Sequence, residues 1–363
     1  MPYLNVDEVE TAVRVTAGPP NADFPQLIVL PHLTWEGRQC HAIKLGKGSG
    51  PSRIGVYLLG GVHAREWGSS DILVHFMEQL ADAYRTHTGL TLSGQRFTAA
   101  DIQQIVNTRD VFVFPQANPD GRHHSMTVDP MWRKNRRPAP AGAPVDPHCV
   151  GVDINRNYDF LWNYSAHFDP AAPVANSTSP CHPEVYIGPS VASEPETQNV
   201  VWILDHVPNI RFFIDLHSFG EDILYSWGDD EDQSTNPDMN FRNPAYDRRR
   251  GSKGDTAYRE YIAQSDRELA IRLANGIRDA IRTVRGRTYT VQPSFALYPT
   301  AGASDDYAYS RHLVDHNKPK VLSYTIEWGS PNTPTPFHPS YSEMQNIIQE
   351  VTAGLLAFCL QVT

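Results

Sequence analysis

Cysteine is scarce in this chain, with four in 363 residues, which excludes a fold stapled mainly by disulfides and leaves room for one or two bridges. Long apolar runs are also missing. The longest uncharged tail, residues 351–363, is too short to span a bilayer. Basic excess is absent too: 31 Lys and Arg stand against 41 Asp and Glu, a formal charge of −10. That balance argues against nucleic acid or an anionic membrane as the main partner, because both select clustered cations. No internal repeat and no low-complexity block appears. Met1-Pro2-Tyr3 begins no charged-then-apolar leader, which at face value points to the cytoplasm, or to export if Met1 was added to a processed form.

What is present is ordinary for a soluble globular protein, with 40% hydrophobic and 20% charged residues. At this length most of the chain's surface can be buried. Residues 53–59 (Arg-Ile-Gly-Val-Tyr-Leu-Leu) read as a buried strand, apolar on both alternating faces. Residues 70–84 follow with a helical spacing through Ile72, Leu73, Phe76, Met77, Leu80 and Tyr84. Further strands are expected at 111–114, 211–216 and 320–328. Ser193-Glu194-Pro195-Glu196 reads as a capping box opening a helix. Leu269, Leu273, Ile277 and Ile281 mark another helix, and Met344 to Phe358 the last one. This alternation predicts one α/β domain over 1–363, a mixed, mostly parallel twisted sheet with helices on both faces. Two segments depart from it. Residues 137–147 hold four prolines and read as an extended loop. Residues 229–258 begin acidic, turn basic and lack apolar periodicity; they read as a solvated surface insertion, or as a rim beside an active site.

The first strand runs into Gly60-Gly61-Val62-His63-Ala64-Arg65-Glu66-Trp67. His63 and Glu66 can bind one metal ion if the turn points both inward. With 15 His and 15 Glu in the chain, about 0.6 such pairs arise by chance, and His75 with Glu78 is a second match. That pair sits mid-helix and reads as a solvated surface contact. Ligand sites of open α/β sheets lie at the carboxyl ends of strands, which favours His63 and Glu66. Catalytic zinc usually takes three protein ligands and a water, and another strand ends at His217. Arg133 lies in a basic patch, and Asp153-Ile154-Asn155-Arg156-Asn157 groups a carboxylate, an amide and a guanidinium. An Arg beside an Asn can hold a carboxylate through paired hydrogen bonds. Glu327, flanked by apolar and aromatic residues, suits a general base. Singly, each could be an ordinary ion pair; together at strand ends they fit hydrolysis of an amide beside a carboxylate.

On these motifs, with Asn118-Pro119-Asp120-Gly121, Cys149-Val150-Gly151 and Leu297-Tyr298-Pro299 between them, the chain resembles the zinc carboxypeptidases of the funnelin type. That family includes the pancreatic carboxypeptidases A and B and their bacterial relatives, and the resemblance, of the bacterial type, covers nearly the whole chain in order. It implies one zinc ion held by His63, Glu66 and His217, with Asp153 orienting the first histidine. Glu327 would handle the proton of the attacking water, and Arg133 would face the oxyanion. Asn155 and Arg156 would clamp the substrate's terminal carboxylate, Arg65 would support a bound carbonyl, and Tyr298 would close over the bound residue. The substrates implied are peptide or protein C-termini.

The floor of the specificity pocket falls on Asp305, where carboxypeptidase B-like enzymes carry Asp and A-like enzymes an apolar residue, so a basic C-terminal residue (Lys or Arg) is expected. Gly228, at the wall, leaves room for a long side chain, while arginines of the 229–258 insertion could neutralise Asp305 and broaden the preference. Pro130 and Phe219 replace an arginine and a tyrosine of the pancreatic pattern. Cys149 and Cys181 match the family's disulfide, a bridge that would favour export, and Cys40 and Cys359 have no assigned partner. The rival reading is a zinc amidohydrolase acting on N-acyl or γ-glutamyl amino acids. Oligomeric state is not legible.

Overall fold

The computed structural model describes residues 3–19, 23–48, 50 and 53–362. Eight strands form the main sheet: β1 (Gln26–Val29), β2 (His41–Leu45), β3 (Ile54–Gly60), β4 (Arg109–Phe114), β5 (Ile210–Ser218), β6 (Asp222–Tyr225), β7 (Thr290–Pro293) and β8 (Leu322–Trp328). Their order across the sheet is β1-β2-β4-β3-β5-β8-β6-β7. The pairings β4–β3, β3–β5, β5–β8 and β6–β7 are parallel, and β1–β2, β2–β4 and β8–β6 antiparallel. The central strands β3, β5 and β8 are buried almost throughout, as their apolar runs require.

The main helices are α1 (Val6–Ala17), α2 (Trp67–Thr86), α3 (Ala99–Thr108), α4 (Pro119–Thr127), α5 (Pro195–His206), α6 (Gln264–Arg285), α7 (Ser304–Val314) and α8 (Tyr341–Gln361). Strand alternation assigns their sides. On β5 the even residue Phe212 packs edge-on against Phe358 of α8, with ring centres 5.6 Å apart. The odd residue Asp215 accepts a hydrogen bond from Ser304 Oγ of α7 at 2.6 Å. Helices therefore cover both faces. Because β3, β5 and β8 run parallel side by side, their carboxyl ends meet at one edge, and that edge holds the site.

Three expectations need correction. The capping box at 193–196 does not form: Asn157 Nδ2 donates to Ser193 Oγ, which itself donates to Glu194 Oε1. Glu194 is the N-cap of α5 without a side-chain cap, although Pro195 does sit in the first turn. His75 is half-buried rather than simply solvated, and its Nδ1 meets Thr352 Oγ1 of α8 at 3.1 Å. Residues 229–258 are not simply solvated either. Asp229, Asp230, Arg250 and Tyr258 are buried, with Arg250 3.0 Å from Asp247 and stacked 4.6 Å from the Tyr258 ring centre. The segment buries charge against charge, a pattern that hydropathy does not register.

Candidate metal centre

The turn after β3 is shaped by Gly61 at φ +67°. A Cβ there would fall 2.9 Å from Ser70 Oγ and 3.1 Å from the Pro115 carbonyl, so the turn requires glycine. Asn118 fixes it, donating from its backbone N to the Gly61 carbonyl and from Nδ2 to the Val62 carbonyl. The chain then places His63 at the sheet edge and Glu66 at the N-cap of α2. Glu66 makes no side-chain cap; its carboxylate points into the site instead.

Among the described residues, one ligating atom each from His63, Glu66 and His217 lies within 4.8 Å of the others, and all three side chains are buried. His63 Nδ1 is 2.8 Å from Glu66 Oε1, His217 Nδ1 is 3.1 Å from Glu66 Oε2, and the two Nδ1 atoms are 2.9 Å apart. The outer nitrogens are held by carboxylates. Asp153 Oδ1 lies 3.2 Å from His63 Nε2, and Asp215 Oδ2 lies 3.0 Å from His217 Nε2. Such partners fix the tautomer, with the proton on Nε2 and the Nδ1 lone pair inward. Two inward lone pairs beside a carboxylate repel one another unless a cation sits between them. The donor set therefore fits a divalent metal, and two histidines with one glutamate is a ligand set of catalytic zinc.

The acid–base character of the surroundings follows. Burial raises the Glu66 carboxyl, but His63 and His217 outweigh it and hold it below the usual range. Asp153 is likewise depressed, with Arg133 and His63 overcoming its burial. Glu327 differs: burial, reinforced by Glu66 and Asp222 against His217 and Arg133, pushes it up to about 8. It lies one residue before the end of β8, in register with His217, and makes no salt bridge among the described residues. A cation at the triad would draw this value down.

A cleft of about 380 Å³ opens beside the triad, lined by His63, Arg133, Asn155, Arg156, Tyr298 and Glu327 among others. Arg133 donates through Nε and Nη2 to Asp153 Oδ2, at 3.1 and 2.9 Å. Arg156 donates from Nε to the Ala175 carbonyl and from Nη1 to the Asn155 carbonyl, at 2.7 and 2.5 Å. Asn155 accepts from the Ser304 backbone through Oδ1, which leaves its amide nitrogen toward the cleft. Tyr298 stands at the mouth, 39% exposed. Deeper, a cavity of about 40 Å³ is bordered by Leu224, Ser294, Thr300, Asp305 and Thr325. Asp305 is buried and accepts from Ser294 Oγ at 2.8 Å. Burial raises its carboxyl above the usual range, with Ser294 opposing. At Gly228 a Cβ would sit 2.7 Å from Thr300 Oγ1 and 2.9 Å from Asp306 Oδ2, so the wall admits no side chain there. Cys149 and Cys181 are bonded, while Cys40 and Cys359 are buried and free.

Two residues escape the sequence reading. Asp215 precedes His217 by two on a strand, and period-two alternation alone puts both on one face; the signal was present. Glu184 sits in an irregular loop, where no periodicity marks it. It binds Arg65 through both oxygens, at 2.7 and 3.2 Å, so Arg65 carries its own counter-ion in the cleft. Phe219 packs on Phe337 with ring centres 4.9 Å apart.

Two buried histidines and a glutamate thus meet at the strand ends of an α/β sheet, beside an uncompensated carboxyl and facing arginines across the cleft, a donor set that fits a catalytic metal. The family model for zinc carboxypeptidases matches residues 21–354, and the chain belongs to that family, the metallocarboxypeptidases. Carboxypeptidase B of Astacus astacus is 29% identical over 329 residues, covering 90% of this chain and 86% of that one. Carboxypeptidase B of Rattus norvegicus is 28% identical over 315 residues, covering 86% of this chain and 61% of that one. The chain thus spans under two thirds of that mammalian relative. The crystal structure of carboxypeptidase A from Helicoverpa armigera superposes with a TM-score of 0.71 at 21% identity, covering 98% of this chain and 72% of that one. Bovine thrombin-activatable fibrinolysis inhibitor, in complex with tick carboxypeptidase inhibitor, gives 0.69 at 20% identity, covering 98% and 96%. These likenesses establish the fold.

Proposed function

We propose that this metallocarboxypeptidase binds zinc through His63, Glu66 and His217 and removes basic C-terminal residues from peptides. Zinc, when bound, acidifies water and polarises a carbonyl. The chain's own groups do the rest. Glu327, a carboxyl beside the triad without a salt-bridge partner among the described residues, accepts the proton of the attacking water and returns it to the leaving amine. Arg133 faces the developing oxyanion, held by Asp153 through Nε and Nη2 so that Nη1 remains to donate. Asn155 and Arg156 hold the terminal carboxylate, and Tyr298 covers the departing residue.

Selectivity rests on one observation: Asp305 lies buried in the deep cavity with a hydroxyl as its side-chain partner and no Lys or Arg paired to it among the described residues. The insertion's Arg250 is engaged with Asp247, and so does not neutralise it. A buried carboxylate without a counter-ion favours a ligand that brings one. Peptides ending in Lys, Arg, Phe and Leu, assayed beside N-acyl and γ-glutamyl amino acids, test this. Lys and Arg should lead, and Asp305→Ala should lower kcat/KM for them by about a hundredfold while sparing Phe and Leu. Turnover of the acyl amino acids alone would overturn the reading.

A further inference from the structure

Asp222 carries a charge beside the cleft that the chemistry above does not use. It opens β6 and pairs in antiparallel register with Glu327, while Leu224 pairs with Thr325. Cross-strand partners project on one face, so Asp222 and Leu224 stand on the side of the sheet that presents Glu327. Leu224 and Thr325 border the cavity that holds Asp305. Glu327 lines the cleft with Ser218, Phe219 and Phe337, and Asp222 stands behind it as its register partner, one residue pair further toward the sheet's open edge. A peptide with its last side chain toward Asp305 therefore carries its preceding residue past this edge.

The surroundings leave the carboxylate available. Asp222 is 8% exposed, and Oδ1 accepts from Gln292 Nε2 at 3.0 Å. A Cβ on Gly220 would lie 2.6 Å from Asp222 Oδ2 and 3.4 Å from Glu327 Cβ. The bare glycine thus makes room for Oδ2 next to Glu327, with no side chain of its own between them. No Lys or Arg pairs with Asp222 among the described residues. Burial and Glu221 push its carboxyl up to about 6 against Gln292, so it is ionised at neutral pH. Glu184, on the far side of the cleft, is already matched by Arg65.

We propose that Asp222 is a second specificity determinant, selecting a Lys or Arg side chain on the residue just upstream of the scissile bond. The proposal rests on the carboxypeptidase reading. With Asp305 below and Asp222 beside the base, the preferred substrate ends in two basic residues. An acidic penultimate residue meets like charge at the edge where a basic one meets its counter-ion.

Peptides ending in Lys, with Lys, Ala or Glu before it, test this on the parent, Asp222→Asn and Asp222→Leu. The parent should favour penultimate Lys over Glu by about tenfold in kcat/KM, and 0.5 M salt should shrink the ratio as screening requires. Both variants should bring the ratio toward one. The salt series on the parent reads the same effect if either variant fails to fold. A ratio kept by the variants, or a salt-insensitive parent ratio, overturns the proposal while the carboxypeptidase reading stands. An equal loss on all three peptides also overturns it, placing Asp222's effect on Glu327 instead of the substrate. A parent that cleaves none of the peptides removes the carboxypeptidase reading and the proposal with it.

Discussion

Asp215 supplies the sharpest test of how the metal centre is held. Its Oδ2 lies 3.0 Å from His217 Nε2 and accepts from Ser304 Oγ at 2.6 Å, which sets a braced, buried carboxylate against the outer nitrogen of His217. Asp215→Asn keeps the shape and one acceptor but removes the charge that makes the imidazole a stronger donor. Losing such an outer partner typically weakens metal binding 10- to 100-fold, which is about 1.4–2.7 kcal/mol. The fold should survive, because a neutral His217 can keep its Nε2–H against the amide oxygen that replaces the carboxylate and no charge is stranded. Ser304→Ala removes only the brace on Asp215 and should cost less than tenfold. Zinc affinity measured by chelator competition reads the effect without reference to turnover. Parental affinity in Asp215→Asn, or a larger loss in Ser304→Ala, would refute this account of the centre.

Other substitutions separate the remaining roles. Glu327→Gln should lower kcat by about 10²–10⁴ and leave one zinc per chain; full activity would exclude it as the base. Removing the 149–181 bridge, 32 residues apart, should lower stability by roughly 3–4 kcal/mol in the chain-entropy model, checked by denaturant titration of Cys149→Ser/Cys181→Ser, and an unshifted midpoint would contradict it. Glu196 is buried, with Asn135 donating to Oε2 at 2.9 Å and Oε1 unpartnered, and burial pushes its carboxyl up to about 8. A folded value above the unfolded one means the folded state holds the extra proton, so this group weakens folding as pH rises from about 4.3 through 8. Glu196→Gln should therefore be more stable than the parent at pH 8.5 and close to it at pH 4; urea titrations showing the same pH slope for both would sink the prediction.

The sheet and the triad were legible because strand ends coincide with chemistry. Residues 53–59 and 211–216 are long apolar runs that terminate at a histidine, and parallel neighbours put both ends at one edge. Asp153 came with the motif. The losses have physical causes. Ser193 reads as a cap, but Asn157, distant in sequence, holds its hydroxyl. Residues 229–258 look solvated because their burial is of Asp229, Arg250 and Tyr258 against one another, which no apolar pattern announces. Glu184 meets Arg65 from an irregular loop, where no periodicity marks it.

The three arginines of the cleft look equivalent in sequence, and their partners make them unequal. Arg65 is matched by both oxygens of Glu184, and Arg133 by Asp153. Each is a neutral pair with a donor to spare. Arg156 is 2% exposed, donates only to carbonyls, and forms no ion pair among the described residues. A guanidinium held from water without a counter-ion is costly by itself, and an incoming carboxylate removes that cost. The terminal carboxylate of a substrate therefore gains most at Arg156, next to Asn155, whose amide nitrogen is also free to donate. In the proposed reading, a carboxylate fixed there would set the register of the chain, with the last side chain toward Asp305 and the preceding carbonyl between the triad and Arg133. An excess of negative charge over the whole molecule is thus compatible with the proposed binding of an anionic terminus, because Arg156 is a buried cation with no ion-pair partner among the described residues.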